Sequence, residues 1–216
     1  IESPGMRNLL QKLEVRDFDM LTITSSIIRP GVADSGMMKA FIDRHNGKEP
    51  VTYLHPKMEE ILKDTFGVMI YQEDVIRIAH IIAGMSLGEA DSLRKCISKK
   101  RNRTDINIHR QSFLSGAAAN GVKICTALEI WRQIESFAGY SFCKAHSASF
   151  AMVSYHTAYL KANYPIEFMA AVLSNRGGFY DAATYTEEAR RMGIRILSPH
   201  INYSSNEFTA HDTFIR

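Results

Sequence analysis

Between Gln72 and Ala83 the apolar residues Val75, Ile78, Ala79 and Ile82 recur at spacings of three and four, and Gly84 follows at once. That is the helical period, and a glycine after it supplies the left-handed backbone that ends a helix. The same grammar runs along the rest of the chain. Pro4 suits the first turn of a short helix reaching Leu13, and Asp17 suits the N-cap of a second that stops before Arg29-Pro30-Gly31. A helix over residues 35–45 precedes Asn46-Gly47, and the next begins at His55-Pro56 with Met58, Ile61 and Leu62 on one side. Ser86 and Glu89 form a capping box ahead of a helix that runs from Leu87 toward Lys99. Thr104 suits the cap of another that reaches Asn120-Gly121, and a further one carries Trp131 on to Gly139. Residues 147–163 read as a long helix, with Pro165 opening its successor. Residues 66–71 and 194–197 are short apolar runs that read as extended. The spacing therefore predicts a mainly α, multi-helix fold with short extended segments.

With 216 residues, 45% of them apolar, the chain can fill a sizeable core. Its 26 Lys and Arg against 23 Asp and Glu give a net charge of only +3, so any nucleic-acid surface has to be a local patch. Cys96, Cys125 and Cys143 have neither zinc-site spacing nor the even count of a disulfide framework, which points to a reducing, cytoplasmic setting. No apolar run approaches the roughly 20 residues that cross a bilayer, and no membrane association is expected. A start at Ile1 reads as numbering begun inside a larger protein. The chain changes character near Gly177-Gly178, and a domain boundary near Asp181 would divide residues 1–180 from 181–216.

Two stretches carry candidate chemistry. Arg94 and Lys95, followed by Lys99-Lys100-Arg101, place cations within about a turn and a half of one helix and its end, a row that can grip phosphate. Cations also suit a helix C-terminus, so a solvated, capped helix end is the alternative. The second stretch runs from Gly139 to Ser147 and includes Lys144 and His146 beside a helix start at Ser147, where amides and the helix dipole favour an anion. The alternative there is that His146 and Ser147 only cap the helix while Tyr140 and Phe142 pack beneath it. Arg29, held by the rigid Pro30, can be aimed at a phosphate or paired with a carboxylate. Asp17-Phe18-Asp19 offers two carboxylates, yet Asp17 is better used as a helix cap and no third acid is near, so no metal site is expected within the chain.

Taken in order, several blocks resemble the fingers of the bacterial C-family DNA polymerases, in the alpha (catalytic) subunit of DNA polymerase III. They include Glu2-Ser3-Pro4-Gly5-Met6-Arg7, Ile28-Arg29-Pro30-Gly31 and Tyr71-Gln72-Glu73-Asp74-Val75. Leu87-Gly88-Glu89-Ala90-Asp91-Ser92-Leu93-Arg94, Lys144-Ala145-His146-Ser147-Ala148 and Ser154-Tyr155-His156-Thr157-Ala158-Tyr159-Leu160-Lys161 follow in the family's order. The resemblance implies fingers over residues 1–180 and, over 181–216, the start of a segment leading to helix-hairpin-helix DNA-binding elements. It implies that Arg94, Lys95, Lys144 and His146 bind the triphosphate of an incoming nucleotide, and that Arg29, Lys99, Lys100, Arg101 and Ser147 face nucleic acid. The implied enzyme is a DNA-directed DNA polymerase, a nucleotidyltransferase, with primer-template DNA and deoxynucleoside triphosphates as substrates. A sliding clamp and other replicase subunits are the implied partners. Its magnesium is held by a palm domain that would lie before Ile1, so the isolated segment is expected to be inactive. The sequence departs from the family pattern at Lys95, where an arginine is usual, at Cys96-Ile97-Ser98 and at Ala145. Residues 32–36 also differ from the commonest replicative form, which leaves an error-prone paralogue used in repair synthesis open. A non-catalytic helical module whose basic patch only tracks a nucleic-acid backbone is the alternative from another class.

Overall fold

The Asp17 carboxylate accepts the Met20 backbone N–H at 2.8 Å, so α2 (Phe18–Ile27) starts at the residue after it. The computed structural model describes residues 1–28, 36–98, 103–137 and 142–216. Two compact units emerge, one of residues 8–151 and one of residues 1–7 together with 152–216; the division falls inside α1 (Pro4–Lys12) and inside α9 (Lys144–Asn163).

The larger unit continues with α3 (Met37–His45), α4 (Pro56–Leu62), a single 3-10 turn, α5 (Gln72–Ala83), α6 (Leu87–Ser98), α7 (Arg103–Ala119) and α8 (Ile124–Phe137). The mainly α reading holds. α5 packs against α4, α6 and α7, and its predicted inner face is fully buried, with Val75, Ile78, Ala79 and Ile82 at 0–1% exposure. Burying Val75, Ile78 and Ile82 stabilises the fold by ~1.5–3 kcal/mol each. Met58, Ile61, Leu93, Phe113, Ile130 and Trp131 complete the same core. A second cluster joins Leu9, Leu13, Ile23, Ile27 and Phe41 to Val68, Ile70 and Tyr71. In the polar run Thr22, Thr24 and Ser26 each hydroxyl donates to a carbonyl four residues back, at 2.7–2.9 Å, so these buried groups are satisfied within the helix itself.

The caps explain most element ends. Ser86 N–H donates to the Glu89 carboxylate at 2.8 Å and Glu89 N–H donates to Ser86 Oγ at 3.3 Å, the reciprocal pair that the spacing predicts. Gly84 adopts φ +66 and closes α5. Three expectations need correction. Thr104 lies within the first turn of α7, which already begins at Arg103. α9 starts at Lys144, not Ser147, because an acidic side chain from α5 caps it earlier. Residues 66–71 are not one extended run: Phe66 and Gly67 both turn left-handed, and among the described residues the pairing of this segment is one parallel bridge between Tyr71 and Phe142.

The smaller unit packs α10 (Pro165–Asn175) and α11 (Ala182–Arg191) with a three-stranded sheet ordered β1 (Arg195–Ile196), β3 (Phe214–Ile215), β2 (Ala210–His211). β1 lies within the extended run predicted over residues 194–197, whereas the β2–β3 hairpin has no counterpart in the sequence reading. Met169, Leu173, Tyr185, Ala189, Ile194 and Ile215 form its core. The Tyr185 hydroxyl donates to the Glu2 carboxylate at 2.5 Å, which ties the chain's first residues into this unit. Asp181 caps α11, accepting the Thr184 N–H at 2.8 Å. Among the described residues, no helix is long and apolar enough to cross a membrane.

Two predictions follow from the packing of α5. A Cβ added at Gly116 would lie 2.0 Å from the Ala83 carbonyl oxygen, so the two helix backbones would have to part. Gly116→Ala should cost about 1–3 kcal/mol in urea unfolding; an unchanged midpoint would show that α7 does not press on α5. The second concerns Asp74, whose buried carboxylate accepts the Ile70 and Tyr71 N–H groups at 2.9 and 2.8 Å. Burial, only partly offset by those bonds, pushes this carboxyl up from 3.8 to about 6. The folded chain then holds its proton over a range where the unfolded chain has lost it. Its contribution to stability is therefore full below about 3.8 and is lost as pH rises to about 6. The stability difference between wild type and Asp74→Asn should change across that window and be flat above it; a constant difference from pH 4 to 7 would contradict the shift.

Candidate functional site

The first turn of α5 gathers the two stretches that the sequence singles out. Tyr71 pairs with Phe142, and the Gln72 N–H donates to the Phe142 carbonyl at 2.8 Å. This brings the residues before α9 alongside the start of α5. The Glu73 carboxylate then accepts the Lys144 backbone N–H at 3.1 and 3.2 Å and lies 3.6 Å from Cys143 Sγ. An anion does sit at that helix start, but it is the protein's own side chain. The Lys144 ammonium lies 5.4 Å from the centroid of the Tyr71 ring, within cation–π range. Burial pushes the Tyr71 hydroxyl up to about 12, so the ring remains neutral at physiological pH.

The other stretch reaches the same turn from α6. Arg94 Nη1 donates to Gln72 Oε1 at 2.9 Å, while Arg94 Nε and Nη2 donate to Asp91 Oδ1 at 2.9 and 2.7 Å. Lys95 pairs with the second Asp91 oxygen at 2.7 Å. Hydrogen bonds from Lys95 and Arg94 hold the Asp91 carboxyl below its ordinary value. Arg94 is held close to the surface, with 19% of its side chain exposed against 57% for Lys95. A guanidinium has five N–H donors. Among the described residues, three of Arg94's enter bonds, which leaves two for a further acceptor. Two cations share one carboxylate, so the pair retains a net positive charge.

The Arg94 guanidinium and the Lys144 backbone N–H, 50 positions apart in the sequence, thus meet consecutive residues of one helical turn, Gln72 and Glu73, while the Lys144 ammonium lies over the Tyr71 ring. His146 is exposed one turn into α9, and its ring lies edge-on to Phe142 at 5.3 Å and Phe150 at 4.6 Å. Ser147 does not reach the surface. It is 1% exposed, and its hydroxyl lies 2.5 Å from that of Ser26, so it fastens α9 to α2. Arg29, Lys99, Lys100 and Arg101 lie outside the described residues. Among the described residues, no group of three or more His, Cys, Asp and Glu side chains could hold a metal ion.

Sequence reasoning missed Gln72, Glu73 and Asp91 as partners. Asp91 had a signal, since a carboxylate three and four residues before Arg94 and Lys95 shares their helix face. Gln72 and Glu73 had none, because their partners are distant in sequence.

A family model described as the bacterial DNA polymerase III alpha subunit finger domain matches residues 1–121. The DNA polymerase III subunit alpha of Saccharopolyspora erythraea is 41% identical over 221 residues, covering 100% of this chain and 18% of that protein. The error-prone DNA polymerase of Symbiobacterium thermophilum is 43% identical over 213 residues, covering 98% of this chain and 20% of that protein. The DNA polymerase III subunit alpha of Escherichia coli K12 is 38% identical over 218 residues, covering 98% of this chain and 19% of that protein. The chain spans about a fifth of the length of these relatives. With more than half of its residues matched by that family model, the chain belongs to the finger-domain family of the bacterial DNA polymerase III alpha subunit.

Proposed function

We propose that this segment binds the triphosphate of an incoming deoxynucleotide and covers the nascent base pair in a template-directed DNA polymerase. The observation that carries the reading is that neighbouring residues of one turn hold the Arg94 guanidinium, through Gln72, and the backbone at Lys144, through Glu73. Arg94 offers its two remaining N–H donors, Lys95 a point charge, and Lys144 and His146 further cationic or donor groups on the neighbouring helix. Such groups neutralise phosphate charge as it develops and align the triphosphate for in-line attack by a primer hydroxyl. Arg29, Lys99, Lys100 and Arg101 would follow the nucleic-acid backbone. Residues 1–180 act as fingers in this reading, and 181–216 lead toward the helix-hairpin-helix region. The polymerase works in the cytoplasm, with primer-template DNA, a sliding clamp and other replicase subunits as partners. Its magnesium is supplied by a palm domain.

Error-prone repair synthesis is the second reading: a polymerase of that name and a DNA polymerase III subunit alpha are each 43% identical to this chain, so identity does not separate the two. Substitution patterns in copied DNA separate the two. A module that only tracks DNA would instead show salt-sensitive binding with no response to nucleotide.

In the full-length polymerase carrying this segment, Arg94→Ala should raise the apparent nucleotide KM at least about tenfold, as expected for a lost charge-assisted phosphate contact. Unchanged kinetics would remove Arg94 from the site. The 216-residue chain alone should fold, giving a helical circular dichroism spectrum, yet extend no primer; extension by the purified segment would overturn the assignment of metal chemistry to a palm domain.

A further inference from the structure

The two basic clusters are joined through one residue whose role the polymerase reading does not itself supply. Gln72 binds Phe142, just ahead of α9, through its backbone, donating N–H to the Phe142 carbonyl at 2.8 Å. Through its side chain it binds α6, accepting from Arg94 Nη1 at 2.9 Å. We infer that Gln72 is the positioning residue that fixes the Arg94 guanidinium relative to the Lys144 cluster, so that both address the same polyphosphate. The inference rests on the proposed role of Arg94 as a phosphate ligand and adds the means by which that ligand is aimed.

Asp91 alone cannot do this. It sits on the same helix as Arg94, three residues earlier, so their bond fixes the guanidinium only with respect to α6. Gln72 is the acceptor from another element, 22 positions away, and it holds Nη1, the guanidinium nitrogen that Asp91 does not engage. A carboxylate in its place would hold Arg94 equally well. It would also cancel the positive charge left after Asp91 has been shared between Arg94 and Lys95. A neutral amide orients the cation and leaves that charge for a ligand. Gln72 is itself half-buried beside the capped start of α5, with Asp74 holding the two preceding backbone N–H groups, so its backbone has little freedom. Fixing the arginine before the ligand arrives removes an ordering cost from binding.

The test is a double-mutant cycle in the full-length polymerase, using Gln72→Met, which keeps the side-chain length and removes the acceptor. Gln72→Met in the Arg94 background should raise the nucleotide KM roughly fivefold to tenfold, with kcat and the melting temperature nearly unchanged. In the Arg94→Ala background the same substitution should change KM less than about twofold, because the group it positions is gone. A residue important only for folding would add its effect in both backgrounds, and that additivity would overturn the inference. So would a normal KM for Gln72→Met alongside a raised KM for Arg94→Ala, which leaves the nucleotide-binding reading standing. A normal KM for Arg94→Ala would overturn that reading and this inference with it.

Discussion

The capped start of α5 is the constraint on which the candidate site depends. Asp74 turns its carboxylate back onto the Ile70 and Tyr71 N–H groups, and this fixes the direction in which the next two residues leave the buried 68–71 segment. Tyr71 and Gln72 are then committed to Phe142 through the backbone, and Glu73 caps α9. One turn therefore holds the start of α9 and, through Gln72, the Arg94 side chain of α6. The carboxyl that organises it is held in the core despite the cost of ionisation there, since its backbone bonds favour the charged form while burial opposes it.

Electrostatically the site is partly satisfied before any ligand arrives. Asp91 accompanies Arg94 and Lys95, Glu73 occupies the start of α9, and the Tyr71 ring lies beneath the Lys144 ammonium. These contacts keep like charges from splaying apart, and they orient donors without using all of them. Under the proposed reading, a polyphosphate entering here would add acceptors to cations whose donors are already partly ordered, which lowers the ordering cost of binding.

Local chemistry was legible in the sequence to the extent that it is written in neighbouring residues. The inner face of α5, the Asp17 cap, the Ser86–Glu89 box and the Gly84 stop all depend on residues within four positions of one another, and all are found. What could not be read was decided by contacts over long separations. Glu73 moves the start of α9 forward to Lys144, and Ser26 turns Ser147 inward, across 71 and 121 positions respectively. The β2–β3 hairpin escaped notice for another reason: strands of two residues carry no alternation to detect. Likewise Arg94 and Lys144 were recognisable as cations, but the residues that bring them to one turn, Gln72 and Glu73, were not.

The central claim is that one helical turn presents both basic clusters to a single triphosphate. A structure of the full-length polymerase with primer-template and an incoming nucleotide measures this directly. The account predicts Arg94 Nη and Lys144 Nζ atoms within about 3 Å of oxygens on the same triphosphate, the range of charge-assisted hydrogen bonds, with Gln72 Oε1 still on Arg94. A triphosphate bound elsewhere, with Arg94 facing only Asp91 and Gln72, would contradict it.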